Sequence, residues 1–254
     1  MVAVLKRVAR VVLGFNALAL SHLIRLGPLA FARVCDKSFA VARQPLGIPE
    51  IELDTILGDR RPLVRLRVQR YEDGMLPSDQ AMTLLAILVA EQPASILEIG
   101  TYMGHTTRLM AENLAESTIH TVDLPETFDD GGGLGSGFVK DDLHLIRRRV
   151  VGREFSGEPQ HRGIRQHLAD TAEWDFRAAG SPTFFFIDGS HTYEYCKNDS
   201  EKCLAIAREG PVVFVWHDCD TGHPGVVRCL MEWRRLGRDV RRIAETSLAY
   251  WKRA

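Results

Sequence analysis

Apolar and polar positions settle into a steady rhythm only from about residue 78 onward. Residues 1–45 read as one or two helices with one apolar face, broken near Gly27-Pro28, and 45–74 is a mixed, charged connecting region without a clear period. Ser78 and Asp79 can cap a helix in which Met82, Leu85, Ala86 and Val89 follow i, i+3, i+4, i+7 spacing, and Gln92-Pro93 ends it. Short apolar runs then alternate with helical patterns. Strands are expected at Ser95–Ile99, Thr118–Asp123, 163–168, 182–188 and 211–216, and helices at 104–115, 192–208 and 225–236. A glycine-rich break at 131–137 precedes a basic helical segment at 141–149, and 239–245 with 248–252 predict a terminal antiparallel hairpin.

Alternating strands and helices with near-continuous apolar strands specify an α/β fold, a mostly parallel sheet covered on both faces. Ligands in such sheets bind beyond the carboxyl ends of the strands. The polar residues that matter should therefore stand where strands finish.

Composition narrows the classes. The chain has 254 residues, 45% hydrophobic and 26% charged, which excludes a disordered chain, and a net charge of −1 gives no overall field for nucleic acid. The charge is uneven: residues 1–45 carry seven basic groups against Asp36, a formal +6, leaving −7 for 46–254. That divides the chain into a basic amphipathic helical appendage, 1–45, and a domain, 46–254. The appendage suits a dimer arm, a lid or a membrane-surface contact. Its start resembles a signal peptide, but Asn16, Ser21 and His22 interrupt the apolar run, and a cytoplasmic protein is expected. Cys35, Cys196, Cys203, Cys219 and Cys229 form no C-x-x-C pair and read as reduced thiols.

The strand ends carry the candidate chemistry. The first ends Glu98-Ile99-Gly100-Thr101-Tyr102-Met103-Gly104, where Gly100 permits a tight turn and Gly104 a close approach as the helix begins. A carboxylate at Glu98 repels a pyrophosphate and suits an amino group, so this is not the dinucleotide fingerprint. Asp123 closes the second strand, placed to accept from ribose hydroxyls, and Asp170 follows the third, where it can take an adenine amino group. Asp188 ends the fourth strand and His217-Asp218 the fifth. Together these three offer ligands to a divalent metal, and His191, three residues after Asp188, can face the same cleft. The plainer alternative makes Asp188 and Asp218 loop caps, His217 a hydrogen-bonded neighbour and His191 a cap for the next helix.

The segment Ile96–Gly104 resembles motif I of class I S-adenosylmethionine-dependent methyltransferases. Residues 186–194 (F-I-D-G-S-H-T-Y-E) with Val215-Trp216-His217-Asp218 resemble bacterial small-molecule O-methyltransferases related to catechol and antibiotic-sugar O-methyltransferases. The resemblance runs from about Gly74 onward. It implies a Rossmann-like doubly wound sheet of seven strands, the last antiparallel. It places Glu98, Gly100, Tyr102, Gly104 and Thr106 around the methionine moiety of the cofactor, Asp123 at the ribose and Asp170 at the adenine. The catechol enzymes have a lysine base three residues after the first metal aspartate, and here that position is His191. Their tandem acidic or amide pair is His217-Asp218 here, a departure, since histidine is a less usual magnesium ligand. The expectation is methyl transfer from S-adenosylmethionine to the hydroxyl of a small molecule, assisted by Mg2+, with His191 as general base. A metal-independent N- or O-methyltransferase and a catalytically silent cofactor-binding module are the alternatives.

Overall fold

A computed structural model describes residues 47–67, 72–127, 134, 146–147, 149–157 and 161–254. The chain divides into two compact units, 1–44 and 45–254, and the described residues belong to the second. The expected appendage over 1–45, with Cys35, lies outside the described residues, as do most of the glycine-rich break and most of the basic segment that follows it.

Among the described residues, eight strands form one sheet. They are β1 (Glu50–Ile51), β2 (Ser95–Ile99), β3 (Thr118–Asp123), β4 (Ile164–Leu168), β5 (Phe184–Ile187), β6 (Val212–Trp216), β7 (Arg241–Ile243) and β8 (Ala249–Arg253). Their order is β1-β7-β8-β6-β5-β2-β3-β4. All pairs are parallel except those of β8, which runs antiparallel to both β6 and β7. This is the expected mostly parallel sheet with an antiparallel terminal hairpin. The eighth strand is β1, from the stretch read as a periodless connection. Two residues are too few to show a period, and β1 gains its place by pairing with β7.

Among the described residues the helices include α1 (Leu53–Leu57), α2 (Ser78–Glu91), α3 (His105–Asn113), α4 (Tyr193–Ile206) and α5 (Pro224–Arg235). On one face of the sheet, Leu84, Leu85, Ile87 and Leu88 of α2 and Leu109 and Met110 of α3 pack on Ile96, Ile119, Phe184, Phe186, Val213 and Val215. On the other, Cys196 and Cys203 of α4 and Cys229, Leu230 and Trp233 of α5 pack on Leu97, Phe185, Phe214, Trp216 and Trp251. Phe184, Phe185 and Phe186 in β5 are fully buried, alternating between the two layers, each worth about 1.5–3 kcal/mol of apolar burial. The four described cysteines are buried and free. No helix among the described residues is long and apolar enough to cross a membrane.

Two local expectations are corrected. Pro77, not Ser78 or Asp79, occupies the N-cap of α2, and no side chain caps it. Of the face read as Met82, Leu85, Ala86 and Val89, Leu85 and Ala86 are buried and Val89 half-buried, but Met82 is 50% exposed, and Ala81, Leu84, Ile87 and Leu88 are buried as well. Wedged between the sheet, α1 and α3, α2 is apolar almost all round, so its spacing fits more than one face.

Candidate active site

The turn after β2 carries the first half of the site. Gly100 has φ +97° and Tyr102 φ +50°, so the chain reverses through left-handed backbone twice before α3 begins after Gly104, φ +88°. A Cβ on Gly100 would lie 2.0 Å from the carbonyl oxygen of Asp188, and one on Gly104 would lie 2.5 Å from the Phe155 ring. Both glycines are thus demanded by neighbouring protein, the first by the end of β5 itself. Thr106 stands half-buried in the first turn of α3, the end at which the helix dipole is positive.

Glu98 is wholly buried beneath the turn. Its Oε2 accepts from the hydroxyls of Thr107 at 2.5 Å and Thr121 at 2.6 Å, while Oε1 has no hydrogen-bond partner. Burial pushes this carboxyl up to about 8, so it is mostly protonated near neutrality. Asp123 is held on both oxygens. Tyr102 N–H donates to Oδ2 at 2.6 Å, and Leu124 N–H and Arg149 Nη2 donate to Oδ1 at 2.7 Å each. Burial raises the Asp123 carboxyl, with Arg149 and the two backbone donors pulling the other way. Arg149 is a residue the sequence reading missed, since it lay within an unremarkable basic run. Its side chain is buried, with Nε and Nη1 unpartnered. Asp170, beyond β4, accepts from Tyr195 Oη at 2.9 and 3.0 Å and from Ala172 N–H at 2.8 Å.

The second half lies at the ends of β5 and β6, adjacent strands in the sheet. His217 N–H donates to the Ile187 carbonyl at 3.0 Å, which sets the two ends level. His217 Nδ1 is 2.9 Å from Asp188 Oδ1 and 3.0 Å from Asp218 Oδ2, and His191 Nε2 is 2.7 Å from that same Asp218 oxygen. The four residues singled out in the sequence therefore converge. Burial alone would push His217 down, but Asp218 and Asp188 beside it hold it well above its ordinary range. Burial alone would likewise raise Asp218, which His217 and His191 pull well below. Asp218 sits at φ +56°, a left-handed conformation uncommon for a residue other than glycine. His191 is not a helix cap: Thr192 is the N-cap of α4, accepting from Tyr195 N–H.

Donor spacing and chemistry fit a divalent cation. One donor atom each from Asp188, His217 and Asp218 lies within 4.8 Å of the others. Cis ligands about 2.1 Å from a metal stand about 3 Å apart, close to the spacings here. The same spacings are hydrogen-bond lengths, so a proton on His217 Nδ1 occupies the ground a cation would take.

A mostly parallel, doubly wound sheet with an E-x-G-x-x-x-G turn and acids at successive strand ends is the Rossmann-like architecture that the resemblance implied. Residues 97–219, which span both halves of the site, match the family model described as a methyltransferase domain. No curated protein matches the chain. Among solved structures it is similar to the O-methyltransferase TomG of Streptomyces achromogenes, a complex with SAM, at 16% identity over 71% of this chain and 81% of that one, TM-score 0.48. A putative caffeoyl-CoA O-methyltransferase of Staphylococcus aureus is 12% identical over 70% and 84%, TM-score 0.49. Cofactor-bound Rv0187 from MTB is 15% identical over 93% and 95%, TM-score 0.48.

Proposed function

We propose that this enzyme transfers the methyl group of S-adenosylmethionine to a hydroxyl of a small molecule, with His191 as general base and a divalent cation held by Asp188, His217 and Asp218. One observation carries the reading: Gly100 of the cofactor turn is packed on the Asp188 carbonyl, so the two halves of the site are contiguous. Methyl transfer is an in-line displacement from a positive sulfonium, and holding the two reactants in line is worth up to about 7–11 kcal/mol. Glu98, Gly100, Tyr102, Gly104 and Thr106 would surround the methionine moiety, Asp123 the ribose and Asp170 the adenine. A neutral hydroxyl is a weak nucleophile and must lose its proton. Asp218 accepts from His191 Nε2, which leaves the basic lone pair of the neutral ring on Nδ1. A bound cation would polarise the acceptor oxygen and lower its pKa.

The bridging position of His217 Nδ1 favours a second reading, in which the cluster is charge-balanced without metal and the His191–Asp218 pair acts alone. An acceptor screen with methyl-labelled cofactor, with and without a strong chelator, separates the two. Loss of turnover in chelator, restored by added metal, supports the first reading, and full activity in chelator supports the second. Under either, His191→Ala should lower single-turnover methyl transfer by about 10²–10⁴-fold while leaving cofactor affinity nearly intact. A normal rate in the folded variant removes His191 from the role of base.

A further inference from the structure

The reaction proposed above uses four of the side chains crowded at the β5 and β6 ends and leaves His223 over. His223 lies in the loop between β6 and α5, five residues beyond Asp218. Its Nδ1 is 3.3 Å from Asp218 Oδ1 and 3.0 Å from Asp220 Oδ1, and its ring centroid is 4.4 Å from that of His191. One donor atom each from His191, Asp218 and His223 lies within 4.8 Å of the others. Two backbone features build this proximity. Asp218 is in the left-handed region, turning the chain back toward the cleft. Gly225 is seated on the His191 loop so closely that a Cβ would stand 2.4 Å from the His191 carbonyl oxygen and 2.6 Å from Tyr193 N. The loop bearing one imidazole is therefore packed hard on the loop bearing the other.

Two imidazoles with one carboxylate differ in kind from the set beside them. Asp188–His217–Asp218 is mostly oxygen and suits a hard cation, whereas imidazole-rich sets suit zinc, nickel, iron and copper. We propose that Asp218 serves two cation positions, and that His191, Asp218 and His223 form a second one selective for a borderline transition-metal ion of the zinc, cobalt and nickel class. An ion there engages a ring nitrogen of His191 and takes that imidazole out of proton transfer. Such an ion is thus an inhibitor acting through the base, a consequence that rests on the role given to His191 above.

The test is calorimetric titration of the full chain with Zn2+ and separately with Mg2+, in the absence of cofactor and acceptor. Wild type is compared with His223→Ala, His223→Gln and Asp188→Asn, each first shown by circular dichroism to be folded. The glutamine variant keeps the loop polar should alanine disturb it. Loss of one ligand should weaken Zn2+ by at least about tenfold in both His223 variants and leave Mg2+ binding unchanged, while Asp188→Asn retains tight Zn2+. Unchanged Zn2+ affinity in the His223 variants overturns the proposal, as does an equal loss in Asp188→Asn. Because no methyl transfer is involved, failure to find any hydroxyl acceptor counts against the function proposed above and leaves this titration standing.

Discussion

At the scale of single residues, the site is governed by what burial does to carboxyls. Glu98 shows it most clearly. Its folded carboxyl titrates at about 8 against an ordinary value of 4.5. Between those values the folded protein keeps a proton that the unfolded chain releases. Stability is therefore fullest below about 4.5, falls as pH rises through this window and levels off above about 8. Glu98→Gln copies the protonated form and removes that slope. Its melting temperature should gain on wild type between pH 5 and pH 8, and a constant difference across the range would show that Glu98 is ionised in the fold. Burial raises Asp123 as well, but there a buried guanidinium and two backbone donors pull the other way. Asp123→Ala should weaken cofactor binding by about 1.5–3 kcal/mol for each charge-assisted hydrogen bond lost. It should also cost about 3–5 kcal/mol of stability, since Arg149 is stranded. The double variant Asp123→Ala, Arg149→Met should recover stability by thermal melting without recovering affinity by calorimetry. Recovery of both would remove Asp123 from the ribose.

At the scale of elements, the strands were legible wherever both faces are covered. Phe184–Ile187 and Val212–Trp216 are uninterrupted apolar runs because helices lie on each side of them. Asp188 and His217-Asp218 were legible for a related reason, since they follow directly on such runs. His223 was not, because it reaches the cluster only through the turn at Asp218, and a left-handed aspartate leaves no mark in a sequence. The twofold role of Gly100 was also hidden: the turn could be read, but not the strand end pressed against it. Gly100→Ala should therefore fail on two counts, a φ of +97° that alanine resists and a Cβ driven into the Asp188 carbonyl. A loss well beyond about 1 kcal/mol is expected, with reduced metal and cofactor binding in any folded fraction. A variant melting within a degree of wild type would show that the β2 and β5 ends are not so tightly joined.

At the scale of the whole molecule, the site draws on five strand ends of one sheet, so occupancy should stabilise the sheet as a unit. Cofactor at about 100 times its dissociation constant should add about 2.7 kcal/mol to the free energy of unfolding, seen as one cooperative transition shifted upward in a thermal melt. A second, unshifted transition would mean that β1, β7 and β8 melt apart from the strands that carry the site. The overall architecture could be read from the alternation of strands and helices. The eighth strand could not, because β1 is defined by its partner Arg241–Ile243 and not by its own two residues.

The placement of β8 has a consequence during synthesis. This strand is made after both β6 and β7, yet it lies between them in the sheet. Trp216 ends β6 and Ala249 begins β8, 33 residues later. At translation rates of about 5–20 residues per second, a nascent chain waits roughly two to seven seconds with one edge of β6 unpaired. That edge, Val-Val-Phe-Val-Trp, is the type of bare apolar strand that recruits foreign strands. The growing polypeptide is thus most in need of a chaperone just before β8 arrives to close the gap.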